Sequence, residues 1–557
     1  MLPATIATSV APETISKVGR LFNGSATDVL NELLQNARRA GASHIVVSTS
    51  GNPGDRLLHI VDDGHGIADP ASIVTLGRSG WSDETRRRED PAGMGVFSLA
   101  GRDVIIRSFS RPELQGWMAH IPASAWESSR PIAISPDPIT RGTAITVRMP
   151  DAWAQTLDQD LAKVVKHYPL PVTLDGAELP RQAWLAEAVH VEDWNGSRIG
   201  VFRDYPSHTS IHNPRLNFHG VTIPCRLPSI SEVGCGRHWH VRVDIIDTPD
   251  IQLVLPARKE AVQNAALEAL GVAAQAAIFH AIAAEPSHRL SYSNWCDARD
   301  LGIVLPEADP WLRQWVARHA DSSTNYDSGT RVTEPGMVIM PDLEPIVAQP
   351  AAVSIAAHSP FGGPLVEQEP RFIGYGWYDV LAHVERLDFT VEQNGLAFTV
   401  SDEEDAPEGA VNGYADTITL LATIAHAGAL VEVSCDAVLA FGPSEGWYDA
   451  AEERAIYIRR GSGLTPATVA DIFERAAFDP SDDAEADSTD TQREHFGRTV
   501  MTRVIDAMEG GDAALENQIR SLLNSHSWVV PEDRTVTVTM TRAGLAVAIA
   551  DRTPEAA

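Results

Sequence analysis

The sequence predicts an α+β fold divided among several domains. The chain has 557 residues, whereas a single hydrophobic core rarely grows beyond about 250–300 residues. Helix and strand signals alternate along the first part, and a later stretch rich in Pro, Ser, Asp and Gly separates it from a second mixed region. We therefore expect a first domain over 1–180, an α/β domain over 181–290, a linker or extended region over 291–369, and an α+β C-terminal domain over 370–557.

The first domain is predicted to open with a well-delimited helix. Ser25 and Asp28 form an S-x-x-D capping box, and Gly41 is suited to end the helix. Apolar residues at helical spacing predict one broad buried face, formed by Val29, Leu30, Leu33, Leu34 and Ala37. Strands are expected afterwards at 44–49, 57–61, 104–109, 117–121 and 143–149.

Composition and charge argue against several classes of protein. The formal net charge is -31, which opposes a broad grip on nucleic acid, because such binding depends on Lys and Arg. Four cysteines without a C-x-x-C pair indicate reduced thiols, and we expect a cytoplasmic protein. The N-terminus shows no secretory signal. The apolar stretch 265–284 includes Glu268 and His280, which is typical of a packed helix rather than a membrane span.

Histidines and cysteines crowd residues 208–240, where Cys235-x-x-His238 suggests zinc at first sight. Structural zinc sites normally show paired, closely spaced ligands, and the remaining spacing here is irregular. Strand alternation accounts for His238 and His240 as neighbours on one face. We therefore predict no zinc site in this segment.

The first helix carries two candidate site residues. Glu32 and Asn36 are four residues apart and so project from one helix face. A carboxylate there can polarise a water molecule, and a neutral carboxamide oxygen beside it can bind Mg²⁺, which prefers oxygen ligands. In isolation, such a pair is more typical of the exposed face of an amphipathic helix.

Two glycine-containing motifs follow. The motif VDDGHGI (61–67) comes directly after a strand, where Asp62 can accept a hydrogen bond from an exocyclic amine such as that of adenine. Gly64 and Gly66 allow backbone to approach a ligand closely. The motif GMGVFS (93–98) precedes a helical pattern and offers backbone N–H groups to phosphate. The polar stretch before it is expected to act as a mobile lid.

Taken together and in this order, the motifs resemble those of the GHKL superfamily, which includes gyrase B subunits, ninety-kilodalton heat-shock chaperones, histidine kinases and MutL proteins. ELLQNARRAGA resembles its Asn box, VDDGHGI its first Gly box, GMGVFS its second, and the GT of RGTAITVRM a later element. The resemblance covers about residues 15–180 and implies a Bergerat fold, an α/β sandwich in which helices cover a mixed sheet. The layout is nearest to the chaperone and MutL branches, which implies a transducer-like domain over 181–290.

The resemblance also implies a role for each matching residue. Glu32 would be the general base that orients the attacking water. Arg258, with Lys259 as the alternative, would reach the γ-phosphate from the second domain. The implied nucleotide-binding residues are Asn36 (also the Mg²⁺ ligand), Asp62, Gly64, Gly66, Ile67, Arg78, Gly93, Met94, Gly95, Val96, Phe97 and Thr143. One departure is Gln35, which stands where many relatives carry an acid.

The expected function is slow, Mg²⁺-dependent ATP hydrolysis that drives a change of shape and homodimerisation, as in a chaperone-like or MutL-like ATPase. The alternative is a non-hydrolysing scaffold that binds nucleotide and docks partners through 370–557. Glu32 favours hydrolysis, because a protein that only binds ATP does not need the base. A protein partner or client is expected at the C-terminal region, whereas membrane binding and extensive nucleic-acid binding are not expected.

Overall fold

The chain divides into two compact units, one ending at Ala308 and one beginning at Asp309. The computed structural model describes residues 25–551 except for 53, 76–80, 82–94, 128–130, 205–212, 255–259, 326–328, 401–406, 443–450, 452–453, 484–486 and 525. Each unit contains both helices and sheets, so the predicted α+β class is confirmed.

The first sheet is mixed. Its strands are β1 (Ile45–Ser50), β2 (Leu57–Asp62), β3 (Val104–Ser110), β4 (Gln115–Ile121), β5 (Ile134–Asp137), β6 (Thr143–Arg148), β7 (Val172–Leu174) and β8 (Ala177–Glu178). The strand order is β5-β4-β3-β6-β2-β1-β7-β8. Strands β1 and β7 run parallel, and the other pairs are antiparallel. Each of the five predicted strands is present, with bounds shifted by one or two residues.

Two helices, α1 (Ala26–Arg39) and α2 (Asp151–Val165), pack on this sheet. The capping box is formed, since the Asp28 N–H donates to the Ser25 hydroxyl and the Ser25 N–H donates to the Asp28 carboxylate. The apolar face of α1 is buried as its spacing predicts, and the backbone turns after it at Gly41 with φ of 69°. A mixed sheet covered by helices matches the expected sandwich.

A second sheet follows within the same unit. Its strands are β9 (His190–Trp194), β10 (Ser197–Asp204), β11 (Pro214–Phe218), β12 (Val221–Pro224), β13 (Ser229–Ser231) and β14 (His238–Ile245), with helices α3 (Ala265–Ala283) and α4 (Tyr292–Asp300) after them. The order is β12-β11-β14-β10-β9, and β13 pairs with β14. After β14, an isolated antiparallel bridge joins Leu253 and Ala261.

Helix α3 alone, among the described helices, is long and apolar enough to cross a membrane by length and composition. In the structure, Leu270, Ala277, Ile278 and Phe279 of this helix are fully buried in the core that it forms with the second sheet. This packing accounts for its apolar composition, because a core helix and a membrane span satisfy the same sequence criterion.

The structure corrects the expectation of a linker over 291–369. Helix α4 contributes Ala298 to the core beneath the second sheet, and Leu305 follows it there. From Asp309 onward, the same segment supplies short strands and a helix to the second unit. The Pro-rich composition that suggested a linker instead reflects turns and helix starts, such as Pro345 in the first turn of its helix.

The second unit combines two sheets, a short strand pair and a terminal hairpin. Its strands are β15 (Leu312–Arg313), β16 (Arg331–Val332), β17 (Val338–Met340), β18 (Leu365–Glu367), β19 (Ala382–Gln393), β20 (Leu396–Val400), β21 (Gly413–Ala415), β22 (Thr417–His426), β23 (Ala429–Asp436), β24 (Leu439–Phe441), β25 (Ile456–Arg459), β26 (Arg534–Thr541) and β27 (Gly544–Asp551). Its helices are α5 (Pro345–His358), α6 (Gly376–Asp379), α7 (Pro466–Ala477), α8 (Thr489–Glu509) and α9 (Gly511–Asn524). The larger sheet has the order β18-β17-β19-β22-β23 with β20 beside β19, and the smaller has β21-β25-β24.

Helix α1 also contacts the second sheet. The Gln35 side chain is buried and donates from Nε2 to the carbonyl oxygen of His219, 2.8 Å away, in the turn between β11 and β12. At the next position, Gly220 has φ of 104°, and a Cβ there would lie 2.9 Å from Cα of Tyr168. Tyr168 in turn donates its hydroxyl to the carbonyl of Leu34, 2.5 Å away. The amide at position 35 is therefore needed as a donor, which an ionised acid is not.

We predict that Gln35→Glu destabilises the first unit. The change removes the donor to His219 and sets a carboxylate against a buried carbonyl, which costs about 1–3 kcal/mol. For a domain of this size, each kcal/mol corresponds to about 2–4 °C in Tm. Differential scanning calorimetry of the full chain measures the shift. Gln159→Glu on the exposed face of α2 makes the same charge change and should leave Tm nearly unchanged; equal shifts for both variants would contradict the structural role of Gln35.

Candidate functional site

One cavity lies between α1 and the first sheet. Its volume is about 330 Å³, within the range of small-molecule sites. Its lining includes Asn36 from α1, Asp62 at the end of β2 and Thr143 at the start of β6. The other lining residues are Leu33, Ala37, Ala40, Ile60, His65, Gly66, Ile67, Ala68, Asp69, Ser72, Ile73, Trp81, Val96, Phe97, Arg111 and Ile145. The structure thus brings residues of all three sequence motifs to one cavity.

Asp62 is a largely enclosed carboxylate within this apolar lining. Strands β2 and β6 pair Asp62 with Thr143, and the backbone N–H groups of Gly64 and Thr143 donate to its carboxylate, the first over 2.9 Å. Burial raises the pKa of Asp62 from 3.8 to about 6, and these two hydrogen bonds oppose the rise. The carboxylate is therefore a charged acceptor above pH 6 and a neutral group below it.

A buried serine that the sequence reasoning missed supports the loop after Asp62. The Ser108 hydroxyl lies 2.8 Å from the Thr143 hydroxyl and accepts from the backbone N–H of Ile67 over 2.8 Å. The indole of Trp117 donates to the carbonyl of Ile67 over 3.0 Å. Ile67 therefore has both of its backbone groups fixed from the sheet. Strand alternation could have identified Ser108 as an inward-facing residue, because alternate residues of β3 are buried and Ser108 is one of them.

Glycines are required where backbone segments meet beneath the cavity. Gly66 and Gly142 have φ of 76° and 69°, a region that side chains disfavour. A Cβ on Gly66 would overlap the carbonyl oxygen of Phe109, and one on Gly142 would overlap that of Asp62. At Gly64, φ is not positive, but a Cβ would lie 2.7 Å from the carbonyl oxygen of Ala40. The first glycine motif thus forms a tight loop against α1 and the sheet.

The pKa of the neighbouring residue Asp63 is lowered, whereas that of Asp62 is raised. Burial opposes its ionisation, but donors from Ser43 and His44 and the Arg141 guanidinium 2.9 Å away hold the pKa of Asp63 well below its usual value. Arg141 also donates from Nε to the Asp63 carbonyl over 2.5 Å. Asp63 therefore anchors the loop to the start of β1, and Asp62 is left for the cavity.

The polar face of α1 contains an arrangement that the motif did not suggest. Arg39 places Nη1 3.7 Å from a carboxylate oxygen of Glu32 and 3.2 Å from the amide oxygen of Asn36. Its side chain is only 6% exposed, against 18% for Glu32. Glu32 itself is not among the residues that line the cavity. The guanidinium therefore links the two side chains assigned to the water and to the cation.

The carboxamide oxygen of Asn36 is a suitable ligand for magnesium, but it already accepts a hydrogen bond from Arg39. It is an oxygen donor at the cavity wall, and Mg²⁺ commonly takes one or two protein oxygens together with phosphate oxygens and water. The same oxygen accepts from Arg39. A cation at this oxygen would lie close to the Arg39 guanidinium, and because like charges repel, the Arg39 contact disfavours Mg²⁺ at Asn36.

The wall assigned to the phosphates is described in part. A short 3-10 helix spans Gly95–Leu99, and its Val96 and Phe97 line the cavity. Arg111, just after β3, adds a cation to the wall that the motifs did not identify. The Trp81 indole, at the start of the expected lid, lies with its ring centroid 5.9 Å from that of His65. The predicted residues Arg78, Gly93, Met94, Arg258 and Lys259 lie outside the described residues.

Comparison with known proteins gives one relative in sequence. Over 124 residues, the chain is 31% identical to the DNA mismatch repair protein MutL of Prosthecochloris aestuarii (strain DSM 271 / SK 413). The match covers 22% of this chain and 20% of that protein, so the chain matches about a fifth of its relative's length. No family model matches the chain.

Among solved structures, the ATPase region of Saccharomyces cerevisiae topoisomerase II aligns with 43% of this chain and 77% of its own chain, at 10% sequence identity and a TM-score of 0.32. The three motifs that resemble those of the GHKL superfamily contribute residues to one shared cavity, and the chain is similar over 124 residues to a mismatch repair protein.

Proposed function

We propose that this protein binds ATP with Mg²⁺ in the cavity beside α1, hydrolyses it slowly, and uses the cycle as a switch of conformation and dimerisation. The observation that carries the proposal is the shared lining of one cavity by Asn36, Asp62 and Thr143 together with Val96 and Phe97. An acceptor for adenine, an oxygen for the cation and a glycine-led turn for phosphate are the three elements that an ATP site of this type requires.

At the adenine end, the Asp62 carboxylate accepts a hydrogen bond from the exocyclic amine. Its geometry is fixed in advance by the N–H groups of Gly64 and Thr143, so little ordering is lost on binding. The Thr143 hydroxyl, held by Ser108, supplies a second polar group for the base. The apolar residues Ile60, Ile67 and Ile145 exclude water from the ring.

At the phosphate end, Glu32 orients the attacking water and Asn36 holds the cation. When bound, Mg²⁺ would neutralise charge on the phosphate oxygens and help to position them. The Arg39 guanidinium between these side chains opposes both functions, because it occupies acceptor sites on the two groups and repels a cation. The protein's own contribution is then mostly positioning and charge stabilisation, as is general for phosphoryl transfer.

We predict that ATP affinity depends on the ionisation of Asp62. The affinity should be fully present well above pH 6 and fall as pH drops through about 6, because burial raises the pKa of Asp62 to that value. The stability of the unliganded protein should change in the opposite direction. The pKa of Asp62 is 3.8 in the unfolded state and about 6 in the folded state, so the folded state binds the proton more tightly in this range. The contribution of Asp62 to stability therefore falls as the pH rises from 3.8 to about 6. Isothermal titration calorimetry across this range measures the binding.

Asp62→Asn is the matched variant. Losing a hydrogen bond to a charged group costs about 1.5–3 kcal/mol, or roughly 10–100-fold in affinity, and the variant should lack the titration near pH 6. Protonation of ATP itself affects both proteins equally, so the difference between their profiles isolates Asp62. Identical pH profiles would remove Asp62 from adenine recognition.

We predict that Glu32→Ala retains ATP binding but loses phosphate release. The side chain does not line the cavity, so its removal should change the Kd for ATP little, whereas loss of a general base lowers turnover by about 10²–10⁴-fold. A coupled phosphate assay and size-exclusion chromatography with light scattering measure the two effects. The variant should accumulate the ATP-bound dimer; unchanged phosphate release would contradict the assignment of Glu32.

A non-hydrolysing scaffold is the second candidate, and the contact of Arg39 with Glu32 and Asn36 favours it. If the guanidinium stayed there with nucleotide bound, the base would be neutralised and the cation ligand blocked. ATP would then act only as a structural ligand, and the C-terminal region would dock a protein partner. Wild-type protein without phosphate release above the Glu32→Ala background would support this candidate.

We predict that Arg39→Met lowers the Mg²⁺ concentration needed for ATP binding. The variant keeps the volume of the side chain but frees the Asn36 oxygen. One hydrogen bond is worth about 0.5–1.5 kcal/mol, which is roughly a 2–10-fold shift. Arg38→Met is the control, since it removes the neighbouring guanidinium, which donates from Nε to the Gln35 side chain. A higher Mg²⁺ requirement in Arg39→Met would show that Arg39 assists binding instead of competing with the cation.

A further inference from the structure

We propose that His190, Glu192 and His280 form a site for a divalent transition-metal ion of the zinc class. One ligand atom from each side chain, Nε2 of His190, Oε2 of Glu192 and Nδ1 of His280, lies within 4.8 Å of the others. The cluster belongs to the second sheet and its helix, apart from the residues that line the ATP cavity.

The strand geometry brings two of the ligands together. His190 and Glu192 are two residues apart on β9, and side chains at this spacing share one face of a sheet. They stand opposite Val201 and Ile199 of β10, both of which are fully buried. This is the face on which α3 packs. His280, in the last turn of α3, completes the set from the other side.

Two of the three distances between ligand atoms match those that a metal requires, and the third lies within 4.8 Å. The Glu192 oxygen lies 3.2 Å from the His190 nitrogen and 3.0 Å from the His280 nitrogen. Bonds of about 2.0–2.1 Å to zinc at tetrahedral angles place neighbouring ligand atoms about 3.3 Å apart. Small side-chain rotations are therefore enough to bind an ion, and the backbone of β9 and α3 stays in place.

Access and ligand chemistry agree with this geometry. The side chains of His190, Glu192 and His280 are 32%, 27% and 47% exposed, so an ion reaches them without local unfolding. Two imidazoles and one carboxylate favour zinc and its neighbours over Mg²⁺ or Ca²⁺, which prefer oxygen ligands throughout. Three protein ligands leave the fourth position to water. The bound ion would clamp the edge strand β9 to the end of α3.

The test uses the full-length chain without a polyhistidine tag, stripped with EDTA and kept in excess MgCl₂ so that carboxylate-only sites are occupied. Isothermal titration calorimetry with ZnCl₂ should show one saturable equivalent that Mg²⁺ does not displace. His280→Gln and Glu192→Gln should each weaken binding by tenfold or more, since loss of even an outer-shell partner costs about 10–100-fold. His120→Gln is the matched control, because His120 is an exposed histidine paired with a single carboxylate, Asp103, over 2.7 Å.

Two further readouts separate the site from weak binding elsewhere. Co²⁺ in place of zinc should give the absorption of a tetrahedral centre in the wild type and not in His280→Gln. Hydrogen exchange should slow at β9 and at the end of α3 on adding ZnCl₂, because binding of a metal stabilises the fold that forms its site. Absence of saturable zinc binding, or wild-type affinity in both ligand variants, would overturn the proposal and leave Glu192 as an ion-pair partner of two histidines.

Discussion

The polarity of the cavity depends on one enclosed carboxylate, that of Asp62, and on the backbone N–H groups that stabilise its charge. Two N–H groups donate to it, and they are in place because β2 and β6 pair Asp62 with Thr143 and because Gly142 adopts a positive φ. A buried carboxyl group without such donors would remain protonated and neutral. The polarity of the site is therefore set by sheet register and by a glycine, and a substitution at Gly142 would disturb the same carboxylate as one at Asp62.

Helix α1 combines two contacts that bear on how nucleotide binding can reach the rest of the unit. Its cavity side presents Asn36, whose oxygen accepts from Arg39, while the buried Gln35 one position earlier donates to His219 in the second sheet. If the proposed cation displaced Arg39, the forces on α1 would change within one turn of that contact. Because protein interiors are close-packed, a small movement of the helix would be transmitted to the turn after β11 and not absorbed locally.

Local features could be predicted from the sequence, whereas contacts between distant segments could not. The capping box at Ser25, the buried face of α1 and five of the eight strands of the first sheet follow from spacing and composition alone. The alternation of β3 places Ser108 inward but does not name Thr143 as its partner. Arg39 lies seven residues after Glu32, on the same helix face, so its contact was within reach of helical periodicity. Composition failed at 291–369, where Pro-rich turns join short strands of two or three residues that pair with one another and, through β17, with β19.

The second sheet separates two sites that its topology places at opposite edges. The turn between β11 and β12, which receives Gln35, lies at one edge, and β9, which carries His190 and Glu192, is the strand at the other. Strands β14 and β10 lie between them, and α3 packs across the same core. An ion bound to β9 and α3 would therefore stiffen the domain that α1 contacts without touching the cavity beside α1. Any effect of zinc on nucleotide binding would have to pass through this sheet, and its size would measure how rigidly the sheet connects its two edges.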